Sequence, residues 1–232
     1  MANSISPSVI LGRIWAIYRE EAGLLLPAAV LLYAVQFVIA LLLSTTAAWL
    51  LGLLFWILAI LYQGFVVRLV SDLQDGRRDY SFGTLLSSVT PVLGALLGVS
   101  VLFAIGVGIG FVLLIIPGLI LMTIWSVVAP VTVVEHPGVF AAFGRSRRLV
   151  RGNGWQVFGL IVLVWVATIA VSLVAAAIAA PLGHVGRGLV QWAANIVLAP
   201  VVALSASVLY FELRAIHGEH TTPSPGGVPG AI

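Results

Sequence analysis

The chain contains no cysteine, which excludes disulfides, thiolate nucleophiles and cysteine metal ligands. Lysine is also absent: all eleven basic side chains are arginine, a bias that by itself assigns no function. Charge of either sign is scarce, at 8% of the 232 residues. None occurs from Ala22 to Val67, from Tyr80 to Val134, from Gly152 to Gly186 or from Gly188 to Phe211. Each run exceeds the roughly 20 apolar residues that cross a bilayer as a helix. With 61% hydrophobic residues and a mean hydropathy of +1.17, the composition is that of an integral membrane protein rather than a soluble domain. The opening "MANSISPSVILGRIWAIYREE" lacks a cationic start, short apolar core and small-residue cleavage site, so the first span is expected to be retained.

The first two uncharged runs are long enough for two spans each and the last two for one each. The sequence therefore predicts an all-α protein with six transmembrane helices, near 23–44, 48–70, 92–115, 117–135, 155–180 and 187–212. Very short connections are expected at "STTA" and at "IIPGLI", where Pro117 and Gly118 mark a turn. Arg13, Arg19, Arg68, Arg77, Arg78, Arg145, Arg147, Arg148, Arg151 and Arg214 fall on one side of this arrangement and Arg187 alone on the other. The positive-inside rule then puts both termini in the cytoplasm of a multi-pass bacterial inner-membrane protein.

Residues 9–21 alternate apolar and charged faces with helical period, as expected of a helix lying in the membrane interface. Segments 80–90 and 138–151 repeat the pattern less cleanly, the latter with Val139, Phe143 and Val150 on one side. This predicts a unit used three times, an interfacial helix followed by a transmembrane hairpin, over a domain spanning 1–216. Ala-Pro-Val recurs in two spans at Pro130 and Pro200, with Gly64 at a comparable place in a third, and both prolines are expected to kink their helices. Residues 217–232 are rich in Pro and Gly and are expected to form a flexible tail.

Candidate chemistry is sparse. Glu135 beside His136 reads as a polar stop, and His217 with His220 makes an incomplete metal site. "GVGIG" at 106–110 has Phe111 where a dinucleotide fingerprint needs its third glycine; Gly94, Gly98, Gly106 and Gly110 instead have the small-xxx-small spacing of packed membrane helices. No catalytic residue, metal or cofactor is assigned. Gln36, Gln63 and Asn195 are polar but not ionisable, and are expected to face protein rather than lipid, where an unpartnered amide costs several kcal/mol. The one dense charge feature is "FGRSRRLVRGNGW", with Arg145, Arg147, Arg148 and Arg151. Beside a membrane, such a cluster fixes topology and offers guanidinium groups to anionic lipid phosphates; no nucleic-acid role is expected.

The stretch "IPGLILMTIWSVVAPVTVVEHPGVFAAFGRSRRLVRGNGWQVFGLIVL" and the ending "VLYFELRAIHGE" resemble the membrane domain attached to some bacterial glycerophosphoryl diester phosphodiesterases and found in many stand-alone membrane proteins. The likeness extends over most of 5–219 and rests on patterns of shape and charge. It implies a six-helix membrane module. The catalytic barrel of the phosphodiesterase members needs about 250 residues, which the tail after the last span does not supply. The expected function is therefore non-catalytic: a membrane scaffold, anchor or accessory module contacting anionic lipid and a membrane or cytoplasmic protein partner. The alternative is a translocator of lipid or a small molecule through a cavity between kinked helices.

Cysteine labelling tests the predicted topology in a chain with no native thiol. A cysteine placed at Thr46 should react with an impermeant reagent in intact cells from the outside, whereas reaction only after permeabilisation of the membrane would reverse the assignment.

Overall fold

A computed structural model describes residues 6–42, 48–76 and 81–219. Among these residues there are ten α-helices and no strand: α1 Pro7–Glu20, α2 Ala22–Leu42, α3 Ala48–Gln74, α4 Phe82–Val89, α5 Leu93–Leu113, α6 Ile115–Ile124, α7 Val128–Glu135, α8 Val139–Val150, α9 Gly154–Ala179 and α10 His184–Ile216. Five helical stretches are long and apolar enough to cross a membrane: Gly52–Gln74, Phe82–Leu113, Ile115–Glu135, Gly154–Ala179 and Val185–Ile216. The first expected span falls in α2, whose side chains past Leu31 lie largely outside the described residues.

Local chemistry explains where these helices start, bend and stop. Ser81 caps α4 by accepting from the Thr84 N–H at 3.2 Å, which satisfies one of the free donors of the first turn. Pro91 cannot donate, and the ladder tightens there into a 3-10 turn, Thr90–Val92, that runs straight into α5. The α5–α6 connection is shorter than expected and lies earlier. Leu114 alone is extended between the two helices, and Pro117 and Gly118 sit inside the first turn of α6, a position where proline's missing N–H is not needed.

The expected single helix over 117–135 is broken. Pro130 lies in the first turn of α7, and a helical proline clashes with the carbonyl four residues back, here that of Ser126. The chain turns at Trp125–Val127 instead of continuing. Pro200, by contrast, sits within the uninterrupted 33-residue α10.

Packing centres on α3, α7 and α10, which contact one another. Helix α2 packs against α3 and α10, α5 against α6, α7 and α3, and α9 against α10 and α6. The short helices follow the same order: α1 packs on α10, α4 on α3 and α8 on α7. The densest apolar contacts gather toward the charged end, around Tyr62, Phe65, Leu69, Leu149, Leu204, Leu209 and Tyr210. At the other end Val112, Leu113, Ile115 and Ile116 are exposed, as lipid-facing surface is.

Glycine sets several of the close approaches. A β-carbon at Gly110 would lie 2.9 Å from the Gly118 Cα, and one at Gly106 would lie 2.5 Å from the Trp125 ring. At Gly64 it would meet Val89 Cγ1 at 2.6 Å and Leu96 Cδ1 at 3.1 Å, so α3 closes onto α4 and α5 only because no side chain intervenes. Gly94 has nothing within 4 Å, and its glycine is not needed for packing.

Gly64→Leu should therefore cost about 1–3 kcal/mol through forced separation of α3 from α4, read as a lower melting temperature in detergent. Gly94→Leu serves as the control and should leave it unchanged or slightly raised. Equal losses in the two variants would show that α3 does not depend on close approach at Gly64.

Candidate functional site

The charged end of the bundle is built from the ends of the three central helices. Helix α7 stops at Glu135 because His136 takes a left-handed conformation (φ 51°) and Pro137 follows, a sequence that halts a helix and redirects the chain. Gly138 (φ 87°) then opens α8. On α8 the buried residues are Ala142, Ser146, Leu149 and Val150, at the spacing of one helical face. Ser146 Oγ donates to the Ile124 carbonyl at 2.9 Å. It thereby satisfies an oxygen at the helix break with a residue of α8.

The structure divides the four clustered arginines. At about 100° per residue, Arg145 falls at the margin of the buried face of α8 and Arg147 and Arg148 fall outside that face, while Arg151 follows the last residue of the helix. Arg145 is 19% exposed and fully engaged. Its Nε donates to Glu135 Oε2 at 2.8 Å and its Nη2 to Glu135 Oε1 at 3.1 Å, a bidentate pair. The same guanidinium donates from Nη1 to Glu219 Oε1 at 3.0 Å and from Nη2 to Glu219 Oε2. These bonds, Glu219 first, hold Arg145 still more firmly protonated than a free guanidinium. In return, the hydrogen bond from Arg145 pulls the Glu219 carboxyl below its ordinary range.

Neighbouring charges extend the network. Tyr210 Oη donates to Glu135 Oε1 at 2.9 Å, and Arg214 Nη1 donates to Tyr210 Oη at 3.4 Å. Arg68 Nη2 donates to His136 Nε2 at 3.0 Å, joining α3 to the end of α7. Arg13 of α1 pairs with Glu212 of α10. His217, Gly218 and Glu219, read from sequence as the beginning of the tail, are tied to the body: the Glu219 N–H donates to the Arg214 carbonyl at 3.0 Å.

Arg147, Arg148 and Arg151 are exposed and have no ion pair among the described residues. With Ile124, Gly152 and Gly154 they line a concavity of about 430 Å³ between the end of α6, the outer side of α8 and the start of α9. The three-residue link holding Arg151 there is tight. The Arg151 N–H donates to the Arg147 carbonyl at 3.1 Å and the Asn153 N–H to the Val150 carbonyl at 3.0 Å. Gly152 adopts φ 93° between them, a conformation that a β-carbon disfavours.

Two further cavities lie between the long helices. One of about 260 Å³ brings together Gln63, Asn195, Thr168, Ser172 and Tyr33, so two of the sequence-predicted amides share one space. Gln63 Nε2 also donates to the Ala203 carbonyl at 3.4 Å, and Asn195 Oδ1 accepts from Gln191. The Gln36 side chain lies outside the described residues. The second cavity, about 210 Å³, is lined by Ser126, Leu160, Val164, Trp165 and Ser205 and shares Thr168 and Val202 with the first.

No known protein family, curated protein or solved structure matches this chain. The arrangement therefore has to be read from its own chemistry. Sequence reasoning missed the Arg145–Glu135–Glu219 node and the place of Ser126 in the lining of the second cavity. The first had a legible signal: a carboxylate at the end of one helix and an arginine ten residues later, just beyond a Pro-Gly turn. Arg187, isolated on the far side in the sequence, donates to the Leu182 and Ala180 carbonyls at 3.0 and 3.1 Å. It caps the last turn of α9, where a cation also complements the helix dipole.

Proposed function

We propose that the chain is a non-catalytic membrane module with six spans, both termini in the cytoplasm of a bacterial cell, and a cytoplasmic rim that holds anionic lipid. The observation that carries this reading is the division of the arginines. Arg145 and Arg214 are compensated by carboxylates, whereas Arg147, Arg148 and Arg151 line an open concavity without an acidic partner in its lining. Guanidinium groups arranged this way suit a phosphate, which they can hold bidentately. The platform they form is also the surface on which a cytoplasmic or membrane protein partner would dock.

The order of packing supports a three-unit design, α1–α3, α4–α7 and α8–α10. In each unit the short helix rests on the last helix of the preceding unit, and α1 closes the ring on α10. This reading makes the chain a relative of the membrane domain of glycerophosphoryl diester phosphodiesterases. A second reading, lipid or small-molecule translocation, is favoured by the cavity that gathers Gln63, Thr168, Ser172 and Asn195 inside the bundle.

Replacing Arg147, Arg148 and Arg151 together by Gln tests the lipid rim. Each basic side chain near an anionic leaflet contributes about 1 kcal/mol, so retention of phosphatidylglycerol over phosphatidylcholine should fall by roughly a hundredfold and lose its salt dependence. Unchanged, salt-sensitive retention would overturn the rim assignment. In proteoliposomes of the same protein, lipid exchange between leaflets at the protein-free rate supports the accessory reading, and accelerated exchange supports translocation.

A further inference from the structure

The break between α6 and α7 leaves an unusual group behind. Among the described residues Ser126 Oγ is buried with no hydrogen-bond partner, although a buried hydroxyl without one is costly. Other hydroxyls lining the same 210 Å³ cavity are satisfied within their helices. Thr168 Oγ1 donates to the Val164 carbonyl at 2.8 Å and Ser205 Oγ to the Val201 carbonyl at 2.6 Å. The rest of the wall is largely apolar, including Leu160, Val164 and Leu209. With the other hydroxyls already satisfied, a water in this space would find few of the two to four polar partners that hold one. Trp165 and Val202, which also line it, are both about half exposed on the outer surface of α9 and α10.

The arginine concavity lies at the other side of the same break. Ile124 lines it, and Ser126, two residues on, lines the apolar cavity. Two successive Cα–Cα steps separate the two residues by at most about 7.6 Å, comparable to the distance between a lipid phosphate and its ester groups. One short segment thus carries the cation cluster on one side and, on the other, a single unpaired donor beside an apolar slot. A diacyl phospholipid has the complementary order: phosphate, ester carbonyl, acyl chain.

We propose that one anionic, ester-linked phospholipid is held across the α6–α7 break. Its phosphate lies among Arg147, Arg148 and Arg151, an ester carbonyl accepts from Ser126 Oγ, and one acyl chain occupies the cavity between α9 and α10. This rests on the lipid-rim reading for the headgroup and adds the ester and chain sites. An unbroken helix over 117–135 would hydrogen-bond the Ser126 side chain or backbone internally and leave no donor at that depth.

The test uses the intact protein in detergent micelles doped equally with dioleoyl phosphatidylglycerol and its diether analogue, which carries O-octadecenyl chains, with bound lipid read by native mass spectrometry. An ether lipid keeps the phosphate and the chains but has no carbonyl for Ser126. The wild-type protein should prefer the ester lipid by about fivefold, the worth of one hydrogen bond, and Ser126→Ala should bind the two equally. Ala206→Phe, which fills the cavity from α10, should lower retention of both lipids by about tenfold.

Equal binding of the two lipids by wild-type protein, or an ester preference that survives in Ser126→Ala, would overturn the proposal. Displacement of the lipid by millimolar inorganic phosphate would reduce the site to anion capture at the rim and overturn it as well. Failure of the rim reading looks different. In that case replacing the three arginines leaves total phosphatidylglycerol retention intact, while the ester preference persists.

Discussion

Charge cannot enter the hydrocarbon layer cheaply, and the arrangement at one end of this protein follows from how that charge is neutralised. The Arg145 guanidinium is the central case. It is shared between Glu135 at the end of α7 and Glu219 beyond the end of α10, and so ties two central helices to α8. With Arg145 fixed, the neighbouring Ser146 meets the Ile124 carbonyl, and α8 seals the break that Pro130 imposes. The three remaining arginines of the cluster lie outside the buried face, Arg147 and Arg148 on α8 and Arg151 just past its end.

The rest of the bundle divides the labour between ends. Toward the charged end, large apolar side chains and a polar network fix α3, α7 and α10 against one another. Away from it α5 and α6 meet through glycine at Gly110 and Gly118, and bulky apolar side chains such as Val112 and Ile116 are exposed. Water drives burial at the first end. In lipid no comparable hydrophobic force acts between helices, and close backbone approach takes its place. The 210 and 260 Å³ cavities lie between these regimes, where α9 rests on α10 and hydroxyl and amide side chains are interspersed with apolar ones.

Much of this was legible in the sequence because membrane proteins advertise their spans. Uncharged runs located five helical stretches within a few residues, and the glycine spacing at 106 and 110 pointed correctly to tight packing. The break at Trp125–Val127 was harder. Ala-Pro-Val occurs in both α7 and α10, and the same motif opens one helix and lies inside the other, so the neighbouring packing decides its effect. The turn at Leu114 was displaced for a related reason: proline and glycine mark turns in water, but Pro117 fits a first helical turn and Gly118 serves as a contact surface. On α8, taking Val139, Phe143 and Val150 as the apolar face rotates the helix away from the face that Ala142, Ser146 and Leu149 bury. That rotation put Arg145 among the outward arginines. Its internal role becomes visible only once Ser146 is known to be buried.

The central claim is that Arg145 holds the fold while Arg147, Arg148 and Arg151 do not. Thermal unfolding in phospholipid-free detergent measures it most directly, because no lipid is present to stabilise the outward arginines. Arg145→Gln should lose about 1–3 kcal/mol by leaving two carboxylates without their shared partner, and the triple Arg147→Gln, Arg148→Gln, Arg151→Gln variant should stay within about 0.5 kcal/mol of the parent. A triple variant that unfolds as early as Arg145→Gln, or an Arg145→Gln protein as stable as the parent, would contradict this account.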